Sequence, residues 1–255
     1  MRAILSKLGS PRPAPHRFVI LGLPRSGTTY LTTLLNAHPK MSCTGEQFNP
    51  RAVVGLDEQD DSYEAVVANR DADPVGFMQR IFEEPHPRTV KWAGFKFMLG
   101  HNISVFKALE ADPDITLVYV WRENRLAQVT SLIKAAQSQR WAQGKEDSAY
   151  VQAKINASPR QISHRWHELA MTDYLFSSWL AAQPHRQISI EYRDMFAPGF
   201  NGRICEFFGL KEDRDMKSPL VKQGSNTILD RIEDQKAVRH YFNTIGYGRW
   251  LEDEL

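Results

Sequence analysis

The turn at residues 22–29 has the residue types and spacing of an anion-binding loop. It reads Gly22, four residues, then Gly27, Thr28 and Thr29. Successive backbone N–H groups and the positive end of a following helix can converge there on a phosphate-like group. In nucleotide-triphosphate loops a lysine follows the second glycine, and the next hydroxyl holds Mg²⁺. Here a threonine replaces that lysine, which predicts a terminal phosphate-like ligand without a triphosphate and its metal.

Two arginines stand where a phosphate could be contacted. Arg25 lies inside the turn beside the hydroxyl of Ser26, and Arg122 follows the apolar run 115–121. A P-loop phosphotransferase normally places an aspartate after such a strand to organise Mg²⁺. The arginine therefore predicts direct contact with a phosphate. The alternatives are an ordinary turn and a solvated helix face on which an arginine pairs with Glu123.

A third segment, residues 222–226, could form a second anion-binding loop. Lys222, Gly224 and Ser225 place a cation, a glycine and a hydroxyl close together. Such a combination can cradle an anion. An exposed flexible loop explains the same residues equally well.

The elements that must position these residues are strands alternating with helices. Apolar runs at residues 16–22, 92–98, 115–121 and 187–192 predict the strands. Strands alternating with helices indicate a parallel sheet, whose ligands bind at the carboxyl ends. The pattern predicts a P-loop-type three-layer α/β fold, with a central mostly parallel sheet flanked by helices.

The segments between these strands are less regular. Residues 41–50 are typical of a polar loop, and residues 51–90 of an insertion or lid with two modestly helical patches. Residues 137–157 form a polar connection. Ser158 as N-cap and Pro159 in the first turn predict the start of a long helix.

Length and composition favour one domain and exclude several classes. With 255 residues and 42% hydrophobic content, the chain predicts a flexible lead-in over residues 1–16 and a single α/β domain over residues 17–255. A net charge of +2 lacks the bias of nucleic-acid binders, so no nucleic-acid partner is expected. No apolar run approaches the roughly 20 residues that span a bilayer, which predicts no transmembrane segment.

The cysteines and histidines do not suggest a metal site. Cys43 and Cys205 are far apart in the chain and predict free thiols in a reducing, cytoplasmic compartment. His164 and His167 lack partners at ligand spacing. No bound metal is expected.

Several segments together carry a resemblance to a known family. They are PRSGTTYL (24–31), GEQFNP (45–50), GFKFM (94–98), VWRENRLAQVTSL (120–132) and AAQSQRW (135–141). This set resembles the sulfotransferases that use 3′-phosphoadenosine 5′-phosphosulfate (PAPS). Within that superfamily it is most similar to the bacterial carbohydrate sulfotransferases of the trehalose and nodulation-factor type. The likeness is dense over residues 17–141 and thinner afterwards.

The resemblance implies a donor site in two parts. The 5′-phosphosulfate would be held by the turn, through Pro24, Arg25, Ser26, Gly27, Thr28 and Thr29. The 3′-phosphate would be held by Arg122 and a hydroxyl of the next helix. Spacing in the wider family points to Thr130, whereas the bacterial relatives point to Ser131, which we favour while keeping Thr130 open. Lys222, Gly224 and Ser225 partly match the loop that closes over the 3′-phosphate.

The resemblance also implies the catalytic groups. Glu46 would be the base that takes the acceptor proton, and His101 is the second candidate. Arg25 and Lys96 would stabilise the leaving adenosine bisphosphate without a metal. The other interpretation of Glu46 is a turn or helix cap in GEQFNP.

The expected activity is therefore metal-independent in-line transfer of a sulfuryl group from PAPS to an acceptor hydroxyl. The resemblance implies a small-molecule or glycan acceptor, in particular a carbohydrate or glycolipid, and the sequence is compatible with an oligomer. The alternatives are a P-loop kinase-like phosphotransferase and a non-catalytic nucleotide-binding protein.

Overall fold

The computed structural model describes residues 13–50, 52–53, 62–138, 154–220 and 225–255. Within them lies a five-stranded sheet with the order β2-β3-β1-β4-β5, in which every neighbouring pair is parallel. The strands are β1 (His16–Gly22), β2 (Met41–Glu46), β3 (Trp92–Met98), β4 (Ile115–Trp121) and β5 (Gln187–Glu191).

The three central strands explain why the sheet forms. In β1, β3 and β4 almost every residue is buried, as expected for parallel strands covered on both faces. β1 lies in the middle, with Ile20 opposite Lys96 of β3 and Val118 of β4. The loop that follows β1 therefore emerges at the centre of the carboxyl edge.

Eight α-helices are present in the described part of the chain. They are α1 (Thr28–Asn36), α2 (Tyr63–Ala72), α3 (Pro74–Glu83), α4 (Ile103–Glu110), α5 (Arg125–Ser138), α6 (Pro159–Ala181), α7 (Phe200–Phe207) and α8 (Gln235–Thr244). Single 3₁₀ turns follow β5, α7 and α8 along the chain, at Tyr192–Phe196, Ile228–Arg231 and Gly248–Leu251.

Helices cover both faces of the sheet. On one face α1 and α7 pack on Phe18, Ile20 and Val118. On the other face α3, α4 and α6 pack on residues such as Phe95 and Phe97. A third cluster joins α5, α6 and α8 beyond the strand ends. The predicted three-layer fold with a parallel central sheet is confirmed.

The interpretation of residues 41–50 as a loop was wrong for its first six residues. Met41–Glu46 is the edge strand β2, paired with β3. Met41 and Cys43 are buried and alternate with half-buried residues, which is the period of a strand with one covered face. The polar composition hid this short alternation.

The segments between the strands agree in part with the predictions made from the sequence. The helical patches within residues 51–90 are α2 and α3, while residues 51 and 54–61 lie outside the described residues. Ser158 and Gln161 form a capping box that begins α6, as predicted. Residues 1–12 of the expected lead-in and residues 139–153 of the polar connection also lie outside.

Two further expectations concern the cysteines and membrane-spanning segments. Cys43 and Cys205 are buried free thiols. In the described ranges no helix combines the length and apolarity that crossing a bilayer requires.

Gly27 fixes the start of α1 through an unusual backbone conformation. Its φ is 101°, and a Cβ added there would lie 2.7 Å from the Tyr192 ring and 2.6 Å from Met195. We expect Gly27→Ala to lower the free energy of unfolding by about 2–5 kcal/mol, the sum of left-handed strain and overpacking. Urea denaturation measures this loss.

Gly209→Ala is the matched control for Gly27→Ala. Gly209 also has a positive φ, of 63°, but an added Cβ would meet nothing within 4 Å. Gly209→Ala should lower the free energy of unfolding by only about 1–2 kcal/mol, which is the cost of the left-handed strain. Equal losses in the two variants would contradict the close packing of Tyr192 and Met195 against the loop.

Candidate functional site

The loop between β1 and α1 has the backbone of an anion cradle. Arg25 has φ 63°, a left-handed conformation that is rare outside glycine, and Gly27 is left-handed as well. The N–H of Ser26 donates to the carbonyl of Leu23 at 3.3 Å. The chain then enters α1 at Thr28, so the first N–H groups of the helix face the mouth of the turn.

The hydroxyls of this loop have different surroundings. The Ser26 hydroxyl is buried and has no hydrogen-bond partner among the described residues. Thr28 donates to the Met98 sulfur at 3.7 Å, and Thr29 accepts a hydrogen bond from Lys96 at 2.7 Å. Since a buried hydroxyl normally has a partner, Ser26 fits a loop that receives an anion.

Glu46 and Lys96 form an ion pair at the end of β2 and β3. Lys96 Nζ lies 2.7 Å from Glu46 Oε1, and Asn49 donates to Glu46 Oε2 at 2.8 Å. A bulge between Thr44 and Glu46 shifts the strand register so that Glu46 lies opposite Lys96. Lys96 thus connects the carboxylate to the Thr29 hydroxyl of the loop.

The surroundings of Glu46 favour its ionised form. Burial alone would raise the pKa of this carboxyl, but the charge and hydrogen bond of Lys96 and the bond from Asn49 outweigh it. The net pKa of Glu46 lies below its ordinary value. The side chain is 20% exposed, so a partner molecule can reach it.

His101 lies close to the same carboxylate. Burial lowers the pKa of His101, the charge of Glu46 opposes that shift, and the charges of Lys96 and Arg70 add to it. Its Nδ1 atom is buried without a partner among the described residues. Both predicted base candidates therefore lie at this edge of the sheet.

Arg70 of α2 is a residue that the sequence did not single out. It is 3% exposed and donates to the carbonyls of Gln47 at 3.3 Å and Asn49 at 2.8 Å. These bonds fix the turn after Glu46. The only local signal was an arginine in a weakly apolar helix, which is normally a surface residue.

On the other side of the loop, Arg25 and Arg122 meet α5. Arg25 Nε donates to Ser131 Oγ at 2.9 Å, and Arg122 Nη1 donates to the Arg25 carbonyl at 2.9 Å. The Arg122 guanidinium also lies 4.2 Å from the centre of the Tyr192 ring. By contrast, Thr130 is fully buried and bonds the Ala127 carbonyl of its own helix at 3.2 Å.

Two further cations border this region. Burial, with Arg122 as a second cause, lowers the pKa of Arg231 to about 10. Burial also lowers the pKa of Lys134 to about 8, with contributions from Arg231 and Arg25. Lys134 is three residues after Ser131 on α5, a spacing that could have revealed it. Arg231, about 100 residues further along, gave no such signal.

The carboxylate of Glu254 lies among these arginines. Arg122 donates to both of its oxygens through Nε and Nη2, and Arg231 Nη2 lies 3.9 Å away. Arg122 is therefore buried and bonded to Glu254, and it is not part of a solvated helix face. Glu123 instead accepts bonds from Arg249 and Trp250.

A network of buried hydrogen bonds connects the loop after β1 to α5 and α6. Asp173 of α6 accepts from Tyr119 and Arg125, and Arg125 donates to Gln128 at 2.9 Å. Gln128 in turn donates to the Pro24 carbonyl at 2.8 Å. The network holds the first residues of the loop against α5 and α6.

The third predicted segment is described only at its end. Lys222 and Gly224 lie outside the described residues. The Ser225 carbonyl accepts from Arg231 Nε at 3.0 Å and Nη2 at 2.6 Å, while its hydroxyl contacts Asp230 at 3.2 Å. Within the described part of the chain, no cluster of three or more His, Cys, Asp or Glu side chains is arranged to hold a metal.

The parallel sheet, the glycine-containing loop after β1 and the arginines after β4 define the class of this protein as a P-loop-like α/β protein. Residues 16–214 match the family model described as the Sulfotransferase family. The chain therefore belongs to the sulfotransferase family.

Several known proteins are similar to this chain. Nodulation protein H of Rhizobium meliloti strain 1021 is 30% identical over 141 residues, which are 53% of each chain. The chain thus aligns with about half the length of that relative. Nodulation protein H of Rhizobium tropici is 23% identical over 94% of each chain. A sulfotransferase structure from Alicyclobacillus acidocaldarius shares the fold, with a TM-score of 0.50 at 13% identity over 96% of this chain and 98% of that one.

The Glu46–Lys96 pair predicts a pH-dependent contribution to stability. Because the pKa of Glu46 in the folded protein lies below its ordinary value of 4.5, the pair stabilises the fold above that pH. This stability is lost as the pH falls through the folded-state pKa. Glu46→Gln should therefore lower the free energy of unfolding by about 1–3 kcal/mol at neutral pH and by less in acid.

Urea denaturation of wild type and variant across the acid range measures this difference. Glu83→Gln, at an exposed position of α3, is the control and should leave stability nearly unchanged. A loss from Glu46→Gln that stays constant into acid would contradict the assigned pair.

Proposed function

We propose that this sulfotransferase transfers a sulfuryl group from PAPS to an acceptor hydroxyl of a carbohydrate or glycolipid, by in-line transfer without a metal. One observation carries the proposal. Arg25 belongs to the loop and also donates to Ser131, so it joins the cradle to the cations beside α5. Two neighbouring anion sites fit a donor with phosphates at both ends of one nucleoside.

The donor would be held by two groups of residues. The 5′-phosphosulfate would lie in the loop of Pro24 to Thr29, against the helix amides and the Ser26 hydroxyl. The 3′-phosphate would lie by Arg122 and Ser131. Ser131 is supported over Thr130 because the Thr130 hydroxyl is fully buried and bonds within its own helix.

Transfer requires a base on the acceptor and positive charge on the leaving oxygen. Glu46 is ionised and partly exposed, and it would take the proton of the acceptor hydroxyl. Lys96, which contacts both Glu46 and Thr29, would stabilise negative charge on the bridging oxygen together with Arg25. His101 remains the second candidate for the base.

The acceptor class rests on the sequence resemblance to carbohydrate sulfotransferases. The proposal of a single cytoplasmic domain rests on the length and on the two buried free thiols. A transfer assay with radiolabelled PAPS and a panel of glycans, glycolipids and phenols tests both donor and acceptor. Thermal stabilisation by ATP with Mg²⁺ but not by adenosine 3′,5′-bisphosphate would instead favour a kinase-like phosphotransferase.

Substitution of Glu46 should separate donor binding from turnover. Since the base acts only during transfer, Glu46→Gln should lower kcat by about 10²–10⁴-fold. The Kd for adenosine 3′,5′-bisphosphate should stay nearly unchanged. Calorimetric titration and the transfer assay give the two quantities.

His101→Gln is the matched variant for the second candidate. We expect a much smaller loss of kcat than for Glu46→Gln. A larger loss of kcat in His101→Gln than in Glu46→Gln would assign the base to His101. Loss of bisphosphate binding in Glu46→Gln would give Glu46 a structural role.

The pair of hydroxyls on α5 tests the second anion site. Ser131→Ala should raise the KM for PAPS by about 10–150-fold, as expected for a lost hydrogen bond to a charged group. Thr130→Val removes a hydroxyl one residue away and should leave that KM within about twofold. The reverse order would assign the phosphate to Thr130.

A further inference from the structure

The Glu254 carboxylate has the surroundings of a bound phosphate. Arg122 meets it with a two-pronged fork, and Arg231 approaches from a second direction. The Glu254 side chain is completely buried. Arginine binds carboxylates and phosphates through the same fork, so the two anions can replace each other at Arg122.

The segment that carries Glu254 is attached by exposed contacts. The Leu255 N–H donates to the Asn226 side chain at 2.9 Å, and the Thr227 hydroxyl donates to Asp253 at 2.7 Å. Both contacts lie at the surface, where a single hydrogen bond makes a modest contribution to the free energy. By contrast, the preceding 3₁₀ turn is anchored by the buried Trp250.

The buried contact of segment 252–255 is therefore the ion pair of Glu254 with Arg122, and the contacts of Asp253 and Leu255 lie at the surface. Its exposed contacts involve residues 226 and 227, next to the segment that resembles the loop closing over the 3′-phosphate.

We propose that Glu254 is an internal anion that occupies Arg122 and Arg231 in the donor-free enzyme and leaves them when the 3′-phosphate of the donor binds. The inference rests on the proposed function, because it needs a donor with this second phosphate. Two buried arginines require an anion, which Glu254 supplies. A phosphate and the carboxylate repel each other and cannot share one fork, so binding of one excludes the other.

A positioning role for Glu254 predicts the opposite result. If Glu254 only oriented Arg122 toward the phosphate, its neutralisation would weaken donor binding. If Glu254 competes with the phosphate, its neutralisation strengthens binding, because apparent affinity rises with the fraction of protein whose site is open.

Calorimetric titration distinguishes the two roles. Glu254→Gln should bind adenosine 3′,5′-bisphosphate about tenfold more tightly than wild type, which corresponds to a site about nine-tenths closed before binding. Its affinity for adenosine 5′-monophosphate, which lacks the 3′-phosphate, should change less than about twofold. Glu252→Gln, exposed in the same segment, is the control and should match wild type with both ligands.

The outcomes separate this inference from the proposed function. If wild type binds the bisphosphate and Glu254→Gln binds it equally or more weakly, the inference is overturned and the proposed function stands. If wild type does not bind the bisphosphate, the proposed donor itself is wrong.

A second variant covers a loss of folding in Glu254→Gln. Thr227→Val keeps the carboxylate but removes a surface contact of its segment. It should strengthen bisphosphate binding by a smaller factor than Glu254→Gln, and an unchanged Kd there would contradict displacement of the segment.

Discussion

Buried positive charge at the carboxyl edge of the sheet is the constraint on which the site depends. Arg122 and Arg231 are both nearly inaccessible, and burial lowers the pKa of Arg25 to about 10. A buried guanidinium is stable only when acceptors surround it. Those acceptors are the Arg25 and Ser225 carbonyls, Ser131 and Glu254, which come from four distant parts of the chain. The cations thus tie the loop, α5 and the end of the chain together.

The sheet topology decides which groups meet at the loop. β1 is central, so its loop has the end of β3 on one side and the end of β4 on the other. The β3 side brings Lys96 and, through β2, Glu46. The β4 side brings Arg122 and, through α5, Ser131. Because neighbouring strands are about 4.8 Å apart, Glu46 and Ser131, the proposed base and the proposed second phosphate contact, are held on opposite sides of one loop.

The sequence predicted the parts of the molecule that have local patterns. β1, β3 and β4 are continuous apolar runs, and α6 begins with a capping box, so their positions were readable. The edge strand β2 was missed because a short, half-polar strand resembles a loop. Arg70 and Arg231 were missed for a different reason. Their roles arise from contacts with residues far away in sequence, and such pairings leave no period or motif.

The family model and the contacts made by Glu254 concern different parts of the chain. The family model covers residues 16–214, which include the loop, Glu46, Lys96 and Arg122. Arg231 and Glu254 lie beyond that range, so their role follows from burial and charge alone. Arg122 belongs to both groups of residues. The resemblance assigns it to the donor, and in the structure it is bonded to the Glu254 carboxylate. Under the proposed function, a donor phosphate that reaches Arg122 competes with Glu254 for it.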